Sequence, residues 1–214
     1  MPATKSSLVA AATAEWNHWG QSKWILATNR RTIGHTDDER SFARYAIDTY
    51  CSVVGDKPSE EEVMNDVYFW SAVCNSYIIR QAGFAAGEFP LTNAHSVYLR
   101  RFVKARKTSS STAKYWGYRL TEPEASPQVG DIIGCVRDSS VSYAEAQTYY
   151  DRTSAYPSHA DIVVARRANA VDAIGGNVLD SVTRTTWPLD AAGRIANRSL
   201  KPFVVLRLRN TPDA

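Results

Sequence analysis

The sequence predicts an α+β fold, in which helices from the first half of the chain pack on an antiparallel sheet built from the second half. Three observations carry this reading. Apolar residues recur at spacings of three and four up to about residue 107. Beyond about residue 127 they fall instead into short β-branched runs bounded by turn residues. The two patterns follow one another and do not alternate as βαβ units. A chain of 214 residues suits one globular domain, and no repeat or long linker divides it. Residues 1–214 are therefore read as a single domain, with a helical part over about 7–107 and a sheet part over about 127–210.

The first helix is expected over 7 to about 27, where Leu8, Ala12, Trp16 and Trp19 share one face. A second spans 37–54 on Phe42, Tyr45, Ala46, Tyr50 and Val53, with Gly55 placed as a C-cap glycine. Ser59 and Glu62 form a capping box that opens a third. A fourth lies within 70–83, where Ala72, Ser76 and Ile79 share a face and Gly83 is a natural stop. A fifth covers 93–103. Strands are expected at 131–136, 161–165, 171–174 and 203–208.

Composition narrows the function classes. Hydrophobic residues make up 44% and charged residues 22%, which excludes a disordered chain, a coiled coil or a collagen. No apolar run approaches the roughly 20 residues that span a bilayer, so no membrane span is expected. Cys51, Cys74 and Cys135 are odd in number and form no CxxC pair. That excludes a fully paired disulfide framework and argues against a cysteine-rich zinc site. It leaves three buried thiols, one disulfide with a free thiol, or one reactive thiol. Lys5 and the short apolar stretch 8–14 hint at a secretory signal, but the helical pattern runs on through Trp16 and Trp19, so the segment reads as a helix start. Residues 96–119 hold seven Lys/Arg, no acids and several aromatics. This stretch could hold nucleic acid, hold an anionic or sugar polymer, or form a solvated face. A net charge of +3 is too small to argue for nucleic acid.

Three pieces could combine into chemistry. Ser71 opens a helix after a turn, His159 begins a buried strand, and Asn177 ends the next strand after Gly175 and Gly176. A nucleophile at a helix N-terminus gains from the positive end of the helix dipole. A histidine on a strand can take its proton, and a third polar group can hold the imidazole tautomer. Asp161 is an alternative orienter, because i and i+2 share a strand face. Cys74 is an alternative nucleophile, one helical turn from Ser71. His95 could line the cleft or serve as a cap or packing group. Asp131, in the Gly130-Asp131 turn, is expected to be structural.

The order of these pieces resembles that of the NlpC/P60 and CHAP papain-like peptidase superfamily. More closely, the chain resembles the bacterial DUF2272 family. The matching stretches are Glu15-Trp16 with Trp19-Gly20, Trp70-Ser71-Ala72, Phe89-Pro90 through Ala94-His95 and Tyr98, Gly130-Asp131, His159 with Asp161 to Val164, and Gly175-Gly176-Asn177 with Asp180 to Val182. The resemblance implies a papain-like fold and metal-free, cofactor-free cleavage of amide bonds in peptidoglycan peptides. Ser71 would be the nucleophile, His159 the base and Asn177 its orienter, in a groove flanked by residues 95–119. It further implies a bacterial toxin that a secretion system delivers to the periplasm or cell wall, with an immunity protein as partner. The departure lies at position 71. CHAP enzymes carry a cysteine there, and this chain carries serine. Ser71 is then a working nucleophile, an engineered Cys-to-Ser change, or the mark of a non-catalytic relative that binds cell-wall glycan or peptide.

Overall fold

Thr4 caps the first helix, α1 (Lys5–His18), through a capping box with Ser7. The computed structural model describes residues 3–209 and 211–213. Leu8, Ala12 and Trp16 form the buried face of α1, as their spacing predicts. The helix ends earlier than expected. Trp19 closes it, Gly20 and Gln21 take positive φ, and the chain enters β1 (Ser22–Ile25) and then β2 (Arg30–Thr32). Two strands therefore lie inside the part expected to be helical.

The second helix is also broken. α2 (Arg40–Tyr45) gives way to a π-helical turn over Ala46–Tyr50 and a 3-10 turn over Cys51–Val53, before Gly55 at φ +82°. α3 (Glu60–Met64) starts at the predicted Ser59–Glu62 capping box. α4 (Ser71–Gln81) and α5 (His95–Lys107) follow. Gly83, at φ +91°, follows the end of α4. The remaining elements are β3 (Tyr115–Arg119), β4 (Ile132–Val136), the short α6 (Tyr143–Ala146), β5 (Ser158–Arg166), β6 (Ala170–Val178), β7 (Ser181–Pro188) and β8 (Pro202–Leu208).

The architecture is α+β: six α-helices and one eight-stranded sheet among the described residues. The strand order is β2-β1-β7-β6-β5-β4-β8-β3. Every pairing is antiparallel except β1 with β7. Side-chain alternation divides the strands between two apolar layers. Ile132, Ile162 and Ile174 join the large core shared with the helices, while Ile133, Val163 and Ala173 join a smaller core with Trp187. α4 packs on α1, β5 and β6. This contact brings the start of α4 to the strands that carry His159 and the Gly-Gly-Asn segment.

The paired aromatics of the Glu15-Trp16-Trp19 segment support that contact. Buried Glu15 accepts hydrogen bonds from the hydroxyls of Tyr45 (3.1 Å) and Tyr50 (2.6 Å). Trp19 donates to the Tyr50 hydroxyl at 2.9 Å and stacks on Trp70 with centroids 4.7 Å apart. Trp70 is the residue just before α4, so this aromatic block backs the helix start. All three cysteines are buried free thiols.

Candidate active site

Ser71 is the first residue of α4, and no side chain caps that helix. Its Oγ lies 2.7 Å from Nε2 of His95, the first residue of α5. The other ring nitrogen of His95, Nδ1, is hydrogen-bonded to the Tyr98 hydroxyl, one turn further along α5. Asn75, one turn beyond Ser71, donates through Nδ2 to the Tyr98 oxygen (3.2 Å) and to the Ala160 carbonyl (2.8 Å). The i, i+4 and i, i+3 spacings put each pair on one helix face.

This network assigns the proton positions. The contact to the Ala160 carbonyl requires the amide nitrogen of Asn75 on that side, since an oxygen there would face an oxygen. Tyr98 accepts from Asn75, and burial holds its phenol far above the ordinary range, so it keeps its proton. Nδ1 of His95 is the acceptor that proton meets; any other orientation would strand a buried O–H. A neutral His95 then carries its hydrogen on Nε2 and donates to Ser71 Oγ. Burial, then the charges of His159 and Arg137, hold His95 well below its usual pKa, which keeps it neutral. The Ser71 hydroxyl proton is left to point into the adjoining pocket.

The sheet supplies a second histidine. His159 and Asp161 are i and i+2 on β5, and Nε2 of His159 lies 2.7 Å from Oδ1 of Asp161. Both side chains are buried. The carboxylate accepts from Nε2–H, so the lone pair of a neutral His159 ring sits on Nδ1. The two imidazoles meet edge to face, with centroids 5.1 Å apart.

The two glycines of Gly-Gly-Asn make room for both halves. A Cβ at Gly175 would stand 1.8 Å from Asp161 Oδ1 and 3.1 Å from His159 Nε2. A Cβ at Gly176 would stand 2.5 Å from the Cβ of Cys74 and 2.8 Å from the Trp70 ring. Side chains at these positions would displace the Asp–His pair and the start of α4, respectively. Behind Trp70, its indole donates to Asp37 Oδ2 at 2.6 Å. Burial raises the Asp37 carboxyl to about 7, against the pull of that hydrogen bond.

Ser71, His159 and Asn177 share one pocket of about 210 Å³, with Phe69, Arg137 and Pro157 among its other walls. The three leading residues thus converge, but two of the expected pairings differ. Ser71 Oγ is hydrogen-bonded by His95, not by His159. The side chain hydrogen-bonded to His159 is that of Asp161, not Asn177. Asn177 takes φ +53° at the strand end and contributes to the pocket wall instead. Cys74 is fully buried outside the pocket, and burial raises its thiol well above the usual range. That environment disfavours the thiolate an alternative nucleophile would need. Part of the 95–119 stretch does line a groove: Arg100, Arg101, Lys104 and Lys107 of α5 border a pocket with Tyr150 and Asp151, separate from the one lined by Ser71. Tyr98, Phe102 and Tyr115 are core residues, and Arg106 stacks over Trp116 and Tyr118. From that stretch, His95 and Tyr98 join the hydrogen-bonded network of Ser71.

Sequence reasoning named Tyr98 among the matching residues but gave it no role, and missed Asn75 and Arg137. Tyr98 and Asn75 were accessible as residues one turn from His95 and Ser71. Arg137 carries no local signal. Asp131 is structural, as expected: its carboxylate accepts from the backbone N–H groups of Leu208 and Gln128. Among the described residues, no group of three or more His, Cys, Asp and Glu could hold a metal ion. No helix among them is long and apolar enough to cross a membrane.

Residues 12–207 match the family model DUF2272, described as an uncharacterized protein conserved in bacteria. The chain belongs to the DUF2272 family. The match begins within α1, ends within β8 and takes in every residue of the candidate site. No curated protein and no solved structure matches this DUF2272 chain.

Proposed function

We propose that this DUF2272 protein is a papain-like hydrolase that cuts amide bonds in peptidoglycan peptides, with Ser71 as nucleophile and His159 as base. One observation carries the reading. Ser71, His159 and Asn177 line one pocket, while Asp161 is hydrogen-bonded to Nε2 of His159. That leaves Nδ1 as the basic atom.

In the first step Oγ of Ser71 attacks the amide carbon, and Nδ1 of His159 takes the hydroxyl proton. His95 positions Oγ through its Nε2–H. Asp161 stabilises the imidazolium that forms. The uncapped start of α4, near Ala72, offers backbone N–H groups for the developing oxyanion. His159 then protonates the leaving amine, and water hydrolyses the acyl-serine by the same proton path. A serine needs this concerted help more than a cysteine would, because its hydroxyl does not ionise near neutrality. The biological setting of this reading is a toxin that a secretion system delivers to the periplasm or cell wall, countered by an immunity protein.

Purified protein incubated with peptidoglycan tests the proposal, with the released fragments analysed by mass. Paired new amine and carboxylate ends from the wild type, absent with His159→Ala, are expected. Cleavage that survives His159→Ala would contradict the mechanism. Cleavage by Ser71→Cys but not by the wild type would show a binding relative that has lost catalysis.

A further inference from the structure

Arg137 stands one residue past β4, where its backbone N–H donates to the Pro157 carbonyl at 3.1 Å. Across the ladder, Cys135 pairs with His159 and Val136 with Ser158. The sheet therefore fixes Arg137 beside the strand that carries the base. Its side chain is exposed, and it lines the same pocket as Ser71. Among the lining residues it is the only arginine, lysine or carboxylate.

Other arginines in the chain hold carboxylates. Arg167 and Arg184 clamp Asp172, Arg119 binds Asp151, and Arg44 binds Glu60. Arg137 makes no such ion pair and no side-chain hydrogen bond among the described residues. Its charge lowers the pKa of both His95 and Asp180, and it forms no ion pair or hydrogen bond with either. Phe69, 59% exposed, provides an apolar lip to the same pocket.

We infer that Arg137 is a subsite for a substrate carboxylate lying next to the scissile amide. This inference rests on the hydrolase reading and adds to it a substrate class: stem peptides with a free acid beside the cut bond. A guanidinium fork matches a carboxylate with two parallel hydrogen bonds, and a partly enclosed pocket strengthens that pairing relative to open water. An amidated stem peptide of the same shape loses the charge and one acceptor.

The test titrates Ser71→Ala protein calorimetrically with one muropeptide in two forms, stem carboxylates free and amidated. The free acid is expected to bind about tenfold or more tightly, since amidation removes the charge that a guanidinium pairs with. Arg137→Gln in the same background should bring the two forms to within about twofold, and Arg137→Lys should restore part of the difference. The side chain is exposed and the Pro157 hydrogen bond is made by backbone, so these variants keep the fold. Equal affinity for the two forms, discrimination that persists in Arg137→Gln, or no binding of either form overturns the subsite. Cleavage by the wild type is scored separately. Loss of discrimination with cleavage intact removes only the subsite; discrimination without cleavage removes only the hydrolase.

Discussion

The helix-borne and strand-borne halves of the site each contribute a buried histidine, and they differ in what stands behind the ring. His95 on α5 is backed by Tyr98, a neutral phenol that donates to it. His159 on β5 is backed by Asp161, a carboxylate that accepts from it. The partner behind the ring decides the chemistry in front. A donor behind makes His95 a donor toward Ser71. An acceptor behind leaves a neutral His159 an acceptor at Nδ1. Two imidazoles about 5 Å apart thereby take opposite roles.

The largest way to break this contrast is to change the sign of one backing group. Asp161→Asn would donate to Nε2 of His159 and force the proton onto Nδ1. The base then disappears with little change of shape, and kcat should fall about 10^3- to 10^4-fold, the scale at which a wrong tautomer disables a catalytic triad. Steady-state kinetics on a muropeptide checks this, and a loss below tenfold would argue against Asp161 as orienter.

The glycines sharpen the contrast next. Gly175→Ala should reduce kcat about 10^2-fold or more, because its Cβ displaces the carboxylate that fixes the base. Gly176→Ala presses on Cys74 and Trp70, and should cost about 1–3 kcal/mol of stability as an overpacked core does. Activity and urea melts of the two variants should therefore separate: one loses mostly rate, the other mostly stability.

A spectroscopic prediction concerns the proton itself. Nitrogen-15 NMR of labelled histidine should find His95 neutral, with hydrogen on Nε2, well into the acid range. Tyr98→Phe removes the donor behind the ring and should release the tautomer preference while His159 keeps its own.

The smallest effect is on stability. The Asp37 carboxyl is raised to about 7 in the folded protein, above its ordinary value near 3.8. The folded state thus binds more protons than the unfolded one between these values, and its stability falls as pH rises from about 4 to 7. Asp37→Asn keeps an acceptor for the Trp70 indole and should flatten that dependence. Melting temperatures at pH 5 and pH 8 measure it.

The sequence made some of this legible and hid the rest for physical reasons. Strongly periodic or β-branched segments were placed well: α4, α5, β4, β5, β6 and β8 lie where spacing put them. β1 was hidden because Trp24 and its neighbours continue the apolar pattern of α1, and only the turn at Gly20 and Gln21 breaks it, while β2 is three exposed polar residues with no strand signal. β3 mixes aromatics with glycine and β7 mixes Thr, Ser and Arg with one Trp, and each pairs with a strand remote in sequence, β8 and β1 respectively. At the site, motif order located Ser71, His159 and Asn177. The bonds between side chains were not legible, because the approach of α5 to α4 sets the Ser71–His95 contact. No local spacing records that approach.

The most direct test of the division of labour measures His159→Ala and His95→Gln side by side on one muropeptide. His159→Ala should lose about 10^3-fold or more in kcat, because it removes the base. His95→Gln retains an N–H donor near the position of Nε2 and should lose about tenfold or less, with the pH profile preserved. The reverse order, with His95→Gln inactive and His159→Ala near wild type, would contradict the account and make His95 the base.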